Sequence, residues 1–266
     1  MDILHEIIAK KRQRVEAAKD LMSLEQMFAQ ASKTRIRATP HALLGRLMDS
    51  EEINVIAEFK RRSPSKGLIS NGAEPATMAQ LYQAGGATGI SVLTEEDYFG
   101  GSLEDLVSVK EAVDLPVVRK DFIFEEYQVY EAAAAGADAV LLIVAALEDA
   151  LLVELRELAE DELSMDALVE VHTKTEMRRA TASGATLIGV NNRDLRTFEV
   201  SLETSLKLSG EAPRDAVLVS ESGLHTAADL RRLREVGYKG FLIGESLMQA
   251  DRPDDALRGL RGEERK

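Results

Sequence analysis

The chain has 266 residues, 45% of them apolar and 30% charged, with a formal net charge of −13. That is the balance of a soluble globular protein with material for one large core or two small ones. It contains no cysteine, which excludes disulfides, thiolate catalysis and Cys-based zinc sites and fits a reducing compartment. The negative charge opposes generic binding to nucleic acid or an anionic membrane, so neither is expected as a partner.

The opening segment MDILHEIIAKKRQRVEAAK mixes charges with helix-spaced apolar residues and lacks a continuous apolar stretch, so it reads as a helix and not as a signal peptide. The longest apolar run, 139–147, is too short to span a bilayer, and a cytoplasmic location is expected. Residues 1–50 read as two or three helices, one of them opening at SLEQM with Ser23 as its cap. The basic run KKRQR at 10–14 is expected on a solvated helix face. From residue 51 a pattern repeats: AGGATGISVL, AAGADAVLLI, ASGATLIGV and EVGYKGFLI each end a helical stretch, place a glycine and begin an apolar run. Strands are predicted at 53–59, 89–93, 116–120, 139–144, 167–171, 187–191, 216–220 and 241–244. Helical patterns separate them, for example at 103–113, 125–135, 147–159 and 226–236. Apolar strands alternating with helices imply parallel βαβ units covered on both faces. Eight units in this length fit a closed (β/α)8 TIM barrel. A doubly wound open sheet is the alternative, but its G-x-G-x-x-G fingerprint after the first strand is absent. The expectation is a single domain over 1–266, with a helical extension at 1–50 and the barrel at 51–266.

Active sites of such barrels lie at the carboxyl ends of the strands. There the sequence delivers Glu58 and Lys60, Lys120, Glu170, Asn191 and Arg193. Glu58 and Lys60 share a face by the period-two rule, Lys120 is in phase with Val118, and Glu170 is in phase with Leu168. Arg119 is therefore expected to face the surrounding helices. A lone buried charge is costly, whereas opposite charges converging on one rim satisfy each other. SESGL and IGESL follow the seventh and eighth strands, where this fold often binds phosphate through bare backbone N–H groups. KRRSPSKG at 60–67 reads as a cationic loop over the barrel mouth that closes on an anionic ligand, or alternatively as a basic patch for RNA. The four histidines show no metal-binding spacing, so no metal is expected.

The segments EFKRRSPS, SVLTEEDYFGGSLEDL, LPVVRKDFI, LVEVH, GVNNRDL, SESG and FLIGESLM, in this order, resemble the indole-3-glycerol phosphate synthase family over essentially the whole chain. The resemblance implies a TIM barrel that needs neither metal nor organic cofactor and usually works as a monomer. It implies a ring closure of 1-(2-carboxyphenylamino)-1-deoxyribulose 5-phosphate with loss of carbon dioxide and water, a carboxy-lyase step of tryptophan biosynthesis. By similarity Lys120 is the acid of the closure, Glu170 and Lys60 serve the dehydration, and Glu58 and Asn191 orient and stabilise. Arg193 and Lys60 meet anionic groups, and Phe99, Phe122 and Leu195 wall the anthranilate ring. Glu221 is implied as a substrate-binding residue, and Ser222, Gly223, Gly244 and Glu245 match the family's phosphate site, closed from the first loop by Lys60 and Ser63. Many relatives carry Ser where Glu245 stands. A different phosphate-binding barrel, such as a sugar-phosphate isomerase, is the alternative enzyme. Phosphoribosylanthranilate isomerase resembles an enzyme using a cysteine, which this chain lacks.

Overall fold

The glycine-then-apolar runs become strands because both of their faces are covered. In the computed structural model, which describes residues 3–49, 52–70, 72–194 and 197–263, the strands are Asn54–Phe59 (β1), Gly89–Leu93 (β2), Val117–Lys120 (β3), Ala139–Ile143 (β4), Asp166–Val171 (β5), Leu187–Asn191 (β6), Val217–Glu221 (β7) and Tyr238–Ile243 (β8). They form a closed barrel of parallel strands, with β8 returning to β1 through the pairs Asn54↔Gly240 and Ala57↔Ile243. Seven strands lie within about a residue of their expected bounds. The eighth begins three residues early, at Tyr238, whose hydroxyl donates to the Ser205 carbonyl at 2.8 Å and draws the strand start into the barrel wall.

Outward-facing strand residues such as Val55, Val92, Val117, Val140 and Val169 pack under the helices, against Leu106, Val109, Leu155 and Leu230 among others. Inward-facing residues form a second, smaller cluster that includes Ile56, Val118, Leu168 and Val219. These four come from β1, β3, β5 and β7, the alternate-strand layering that fills such barrels. The helix Ala42–Asp49 plugs the amino-terminal end by burying Leu43 and Leu47 in that cluster. Its first turn is anchored by Asp166 Oδ2, which accepts the backbone N–H of Leu43 at 2.9 Å and of Leu44 at 3.0 Å.

The other two N-terminal helices are Ile3–Leu21 and Leu24–Arg35. Ser23 caps the second, and Gln26 completes a capping box. In the KKRQR run Lys10, Arg12, Gln13 and Arg14 are exposed, as expected of a solvated face, and Lys11 departs from it. Lys11 is 3% exposed and pairs with Glu96 at 2.9 Å and with Asp121 at 2.7 Å. Arg14 pairs with Asp97 at 2.8 Å, while Lys10 and Arg12 lie over the rings of Tyr98 and Phe124. The run clamps the first helix onto the loops after β2 and β3, and its acidic partners repay the desolvation of Lys11. No helix of the described residues is long and apolar enough to cross a membrane.

Candidate active site

Period two sets the site. One step beyond the layer Ile56, Val118, Leu168 and Val219, the same four strands present Glu58, Lys120, Glu170 and Glu221 at the carboxyl end of the barrel. All four line one cleft of about 410 Å³. Lys120 Nζ lies 3.2 Å from Glu170 Oε2 and 3.0 Å from Glu221 Oε2. Lys60 Nζ, just past β1, lies 2.5 Å from Glu58 Oε1. Glu170 and Glu221 are 2% and 1% exposed. Room for Glu221 is provided by Gly189 on the neighbouring strand, where a Cβ would stand 2.2 Å from Glu221 Oε1. Asn191 hydrogen-bonds the Glu170 carboxyl, and its Oδ1 accepts the Arg193 backbone N–H at 3.0 Å.

The electrostatics follow from three buried carboxylates around one ammonium. Burial opposes the charge on Lys120, but Glu221, Glu170 and Glu58 outweigh it and raise the amine above its ordinary value. Burial likewise opposes the charge on Glu170, yet Lys120 and His172 hold it below the usual carboxylate range. Glu221 goes the other way. Burial, aided by the charges of Glu170 and Glu58, pushes it up to about 7 against the pull of Lys120. The site therefore rests with a firmly protonated Lys120, an ionised Glu170, and a Glu221 that exchanges its proton near neutral pH. A lysine made acidic by desolvation, which apolar surroundings alone predict, is not what forms.

At the other end of the cleft, Ser222 and Gly223 follow β7 with φ of 66° and 74°. A left-handed serine costs of order 1–2 kcal/mol, the kind of strain found at functional turns. A Cβ on Gly223 would meet Val200 Cγ1 at 2.4 Å. Gly244 has an ordinary φ of −127°. Its need for glycine is spatial, because a Cβ there would lie 2.5 Å from Glu58 Oε1. A side chain at Gly244 would therefore push on the charge cluster instead of covering a backbone donor. The Glu245 carboxylate points at cations, 3.3 Å from Lys66 Nζ and 3.7 Å from Arg193 Nη2. Phe99 and Phe122 line the cleft as a tilted aromatic pair with centroids 6.2 Å apart. Ser63 lines the cleft from a two-residue hairpin, Arg62–Ser63 with Gly67–Leu68, that replaces the expected irregular loop. Leu195 lies outside the described residues.

Glu221, expected among the substrate-binding residues, opens the SESG turn in sequence, and the fold brings its side chain to Lys120. Sequence reasoning missed Ile3, Leu4 and Ile7, which reach the cleft from the first helix. Their helical spacing was legible, but nothing local said which wall they meet. It also missed Ser246, whose buried Oγ at the cleft has no hydrogen-bond partner among the described residues. Glu95, Glu96 and Asp97 stand close together, but their charges are already used. Glu95 accepts the backbone N–H groups of Asp97, Tyr98 and Phe99, and so fixes the loop that carries Phe99.

Comparisons with known proteins bear on the family of the chain. The family profile described as Indole-3-glycerol phosphate synthase matches residues 4–260. An indole-3-glycerol phosphate synthase of Bacteroides thetaiotaomicron is 46% identical over 259 residues, covering 97% of each chain. One from Chloroherpeton thalassium is 47% identical over 252 residues, covering 95% of this chain and 96% of the relative. A solved 3-hexulose-6-phosphate synthase from Salmonella typhimurium superposes with a TM-score of 0.64 at 11% identity, over 79% of this chain and 97% of that one. At that identity it speaks for the barrel alone. Identity near one half along nearly the full length, together with cationic and acidic groups at the ends of alternate strands, puts this chain in the indole-3-glycerol phosphate synthase family.

Proposed function

We propose that this chain catalyses its family's reaction, the closure of 1-(2-carboxyphenylamino)-1-deoxyribulose 5-phosphate to indole-3-glycerol phosphate, through the residues of the cleft. The observation that carries the reading is the ring of Glu58, Lys120, Glu170 and Glu221 at one level of the barrel, with Lys120 Nζ bonded to two of the carboxylates. The ring carbon that bears the carboxylate attacks the ribulose carbonyl, and the carbonyl oxygen takes a proton. The C–COO⁻ bond then breaks, carbon dioxide leaves, and its electron pair restores the aromatic ring. Next the new hydroxyl departs as water with a second proton, and the methylene beside nitrogen gives one up. One proton is consumed overall.

Lys120 is the donor to the carbonyl oxygen. A developing alkoxide is a far stronger base than an amine, so a raised lysine still donates; what it needs is to be protonated at rest, as Glu170 and Glu221 keep it. Ionised Glu170 accepts the methylene proton, and Lys60, held by Glu58, donates to the departing hydroxyl. Asn191 holds Glu170 in place. Phe99 and Phe122 form an aromatic wall for the anthranilate ring. Ser222, Gly223, Gly244 and Ser63 surround the phosphate, with Arg193 and Lys60 meeting its charge. Glu245 is the anion already seated among those cations, and it yields Arg193 when phosphate enters. The protein acts as a monomer in the cytoplasm on this reading. The match along nearly the entire chain favours the synthase over a sugar-phosphate isomerase.

The chain has no tryptophan, so indole emission that grows on adding the substrate reports product directly. Glu170→Gln keeps the shape and removes the base, and its turnover should fall by roughly 10² or more. Wild-type protein that yields no indole emission refutes the activity; near-normal turnover in the variant refutes only the role of Glu170.

A further inference from the structure

His172 lies just past β5, two residues beyond Glu170, and none of the steps above uses it. Its Nε2 faces Glu170 Oε1 at 3.4 Å and, though buried, makes no hydrogen bond among the described residues. Its Nδ1 lies 3.2 Å from Glu176 Oε2, and the same oxygen accepts the His172 backbone N–H at 2.7 Å. Glu176 is itself fixed, in the first turn of the helix Lys174–Ala182, where Thr173 Oγ1 accepts its backbone N–H at 3.2 Å. The imidazole is thus held from behind on a rigid helix start and aimed at one oxygen of Glu170, while Lys120 takes the other. A ring nitrogen bonded to a carboxylate carries its proton there and favours a second proton on the opposite nitrogen, which here faces Glu170.

We propose that His172 is a positioning residue for the ring closure: clamped by Glu176, it fixes the Glu170 carboxylate and keeps it ionised to receive the methylene proton. This rests on the reading of Glu170 as an acid–base group. The charged groups around the imidazole are Glu170 on its own strand, Glu176 on the following helix and Glu221 on β7, with Lys120 of β3 on the other oxygen of Glu170. Burial works against the imidazolium, but the Glu176 hydrogen bond and the charges of Glu170, Glu176 and Glu221 raise His172 above its ordinary value. The sign of its effect follows. A cation beside a carboxylate keeps the proton off, so removing it lets Glu170 hold its proton to higher pH.

The test is the pH profile of kcat for wild type, His172→Gln and Glu176→Gln at saturating substrate, read by indole emission, with urea unfolding to show that each variant folds. Loss of a unit charge at this distance moves a carboxyl by about one pH unit or more. The acidic limb of His172→Gln should therefore rise by that amount, costing about tenfold in kcat on the limb and much less on the plateau. Glu176→Gln, which leaves the imidazole and an accepting oxygen in place but removes the carboxylate charge that favours the imidazolium, should shift the limb the same way by less, and it carries the test if His172→Gln does not fold. A uniform loss at every pH, or unchanged limbs in the folded variants, overturns the proposal. Failure of wild type to give indole, or full turnover in Glu170→Gln, would instead refute the underlying reading, so the two failures are separable.

Discussion

Arg119 and Lys120 are neighbours in sequence with opposite fates. Period two sends Lys120 into the barrel and Arg119 out against the helix Glu126–Ala134, as the sequence predicts. What the sequence did not reveal is how completely Arg119 is used. At 1% exposure it bonds Thr94 Oγ1 at 3.2 Å, the Gln128 carbonyl at 2.9 Å, Asp121 at 3.0 Å and Glu131 at 2.8 Å. A lysine cannot serve these divergent partners, because it lacks the planar fork. Arg119→Lys should leave catalytic chemistry intact but lower unfolding free energy by about 1–3 kcal/mol, the scale of buried acceptors left without their donor. Urea unfolding checks this, and a loss under about 1 kcal/mol would mean the network relaxes around the substitution. Lys11 teaches the complementary lesson. Its partners Glu96 and Asp121 stand far along the chain, Glu96 by 85 residues, and a basic run read locally looks solvated. Local pattern reveals phase but not distant partners.

At the scale of elements, the strands were legible because continuous apolar runs with a preceding glycine leave few alternatives. The SPS segment was legible as a charged loop but not as a hairpin. Its antiparallel pairs Arg62↔Leu68 and Ser63↔Gly67 span only two residues each, below any periodicity signal. Arg61 roots the hairpin through Asp105 and the Gly100 carbonyl, while Lys66 at its tip is exposed and tied to Glu245 alone among the described residues. A hairpin with so little buried surface should open readily. Trypsin should therefore cut at Arg62 or Lys66 in the free protein and clearly more slowly with indole-3-glycerol phosphate bound, as the tip closes on the phosphate. Equal cutting rates in the two states would show that the hairpin is not a lid.

Across the whole molecule, the alternation of layers explains why so much of the site could be read and why part of it could not. Glu58, Lys120 and Glu170 each stand in phase with an apolar residue two positions earlier, so their inward direction follows from the sequence. Glu221 obeys the same rule through Val219, but a turn motif masked it. That all four belong to one ring follows only from closure of the barrel, which brings β7 beside β1 by way of β8. In the ring, the three carboxylate neighbours of Lys120 hold its proton on against burial. The central claim is that this proton goes to the ribulose carbonyl. Lys120→Arg keeps the charge beside Glu170 and Glu221, but a planar guanidinium forks onto the carboxylates and cannot aim a proton at the carbonyl oxygen as the compact ammonium does. The deciding measurement is kcat of this variant by indole emission, beside its affinity for a substrate analogue that cannot close its ring. Analogue binding close to wild type with kcat lower by roughly 10²–10⁴ is the predicted result. Turnover within about tenfold of wild type would contradict it and leave Lys120 as an electrostatic anchor only.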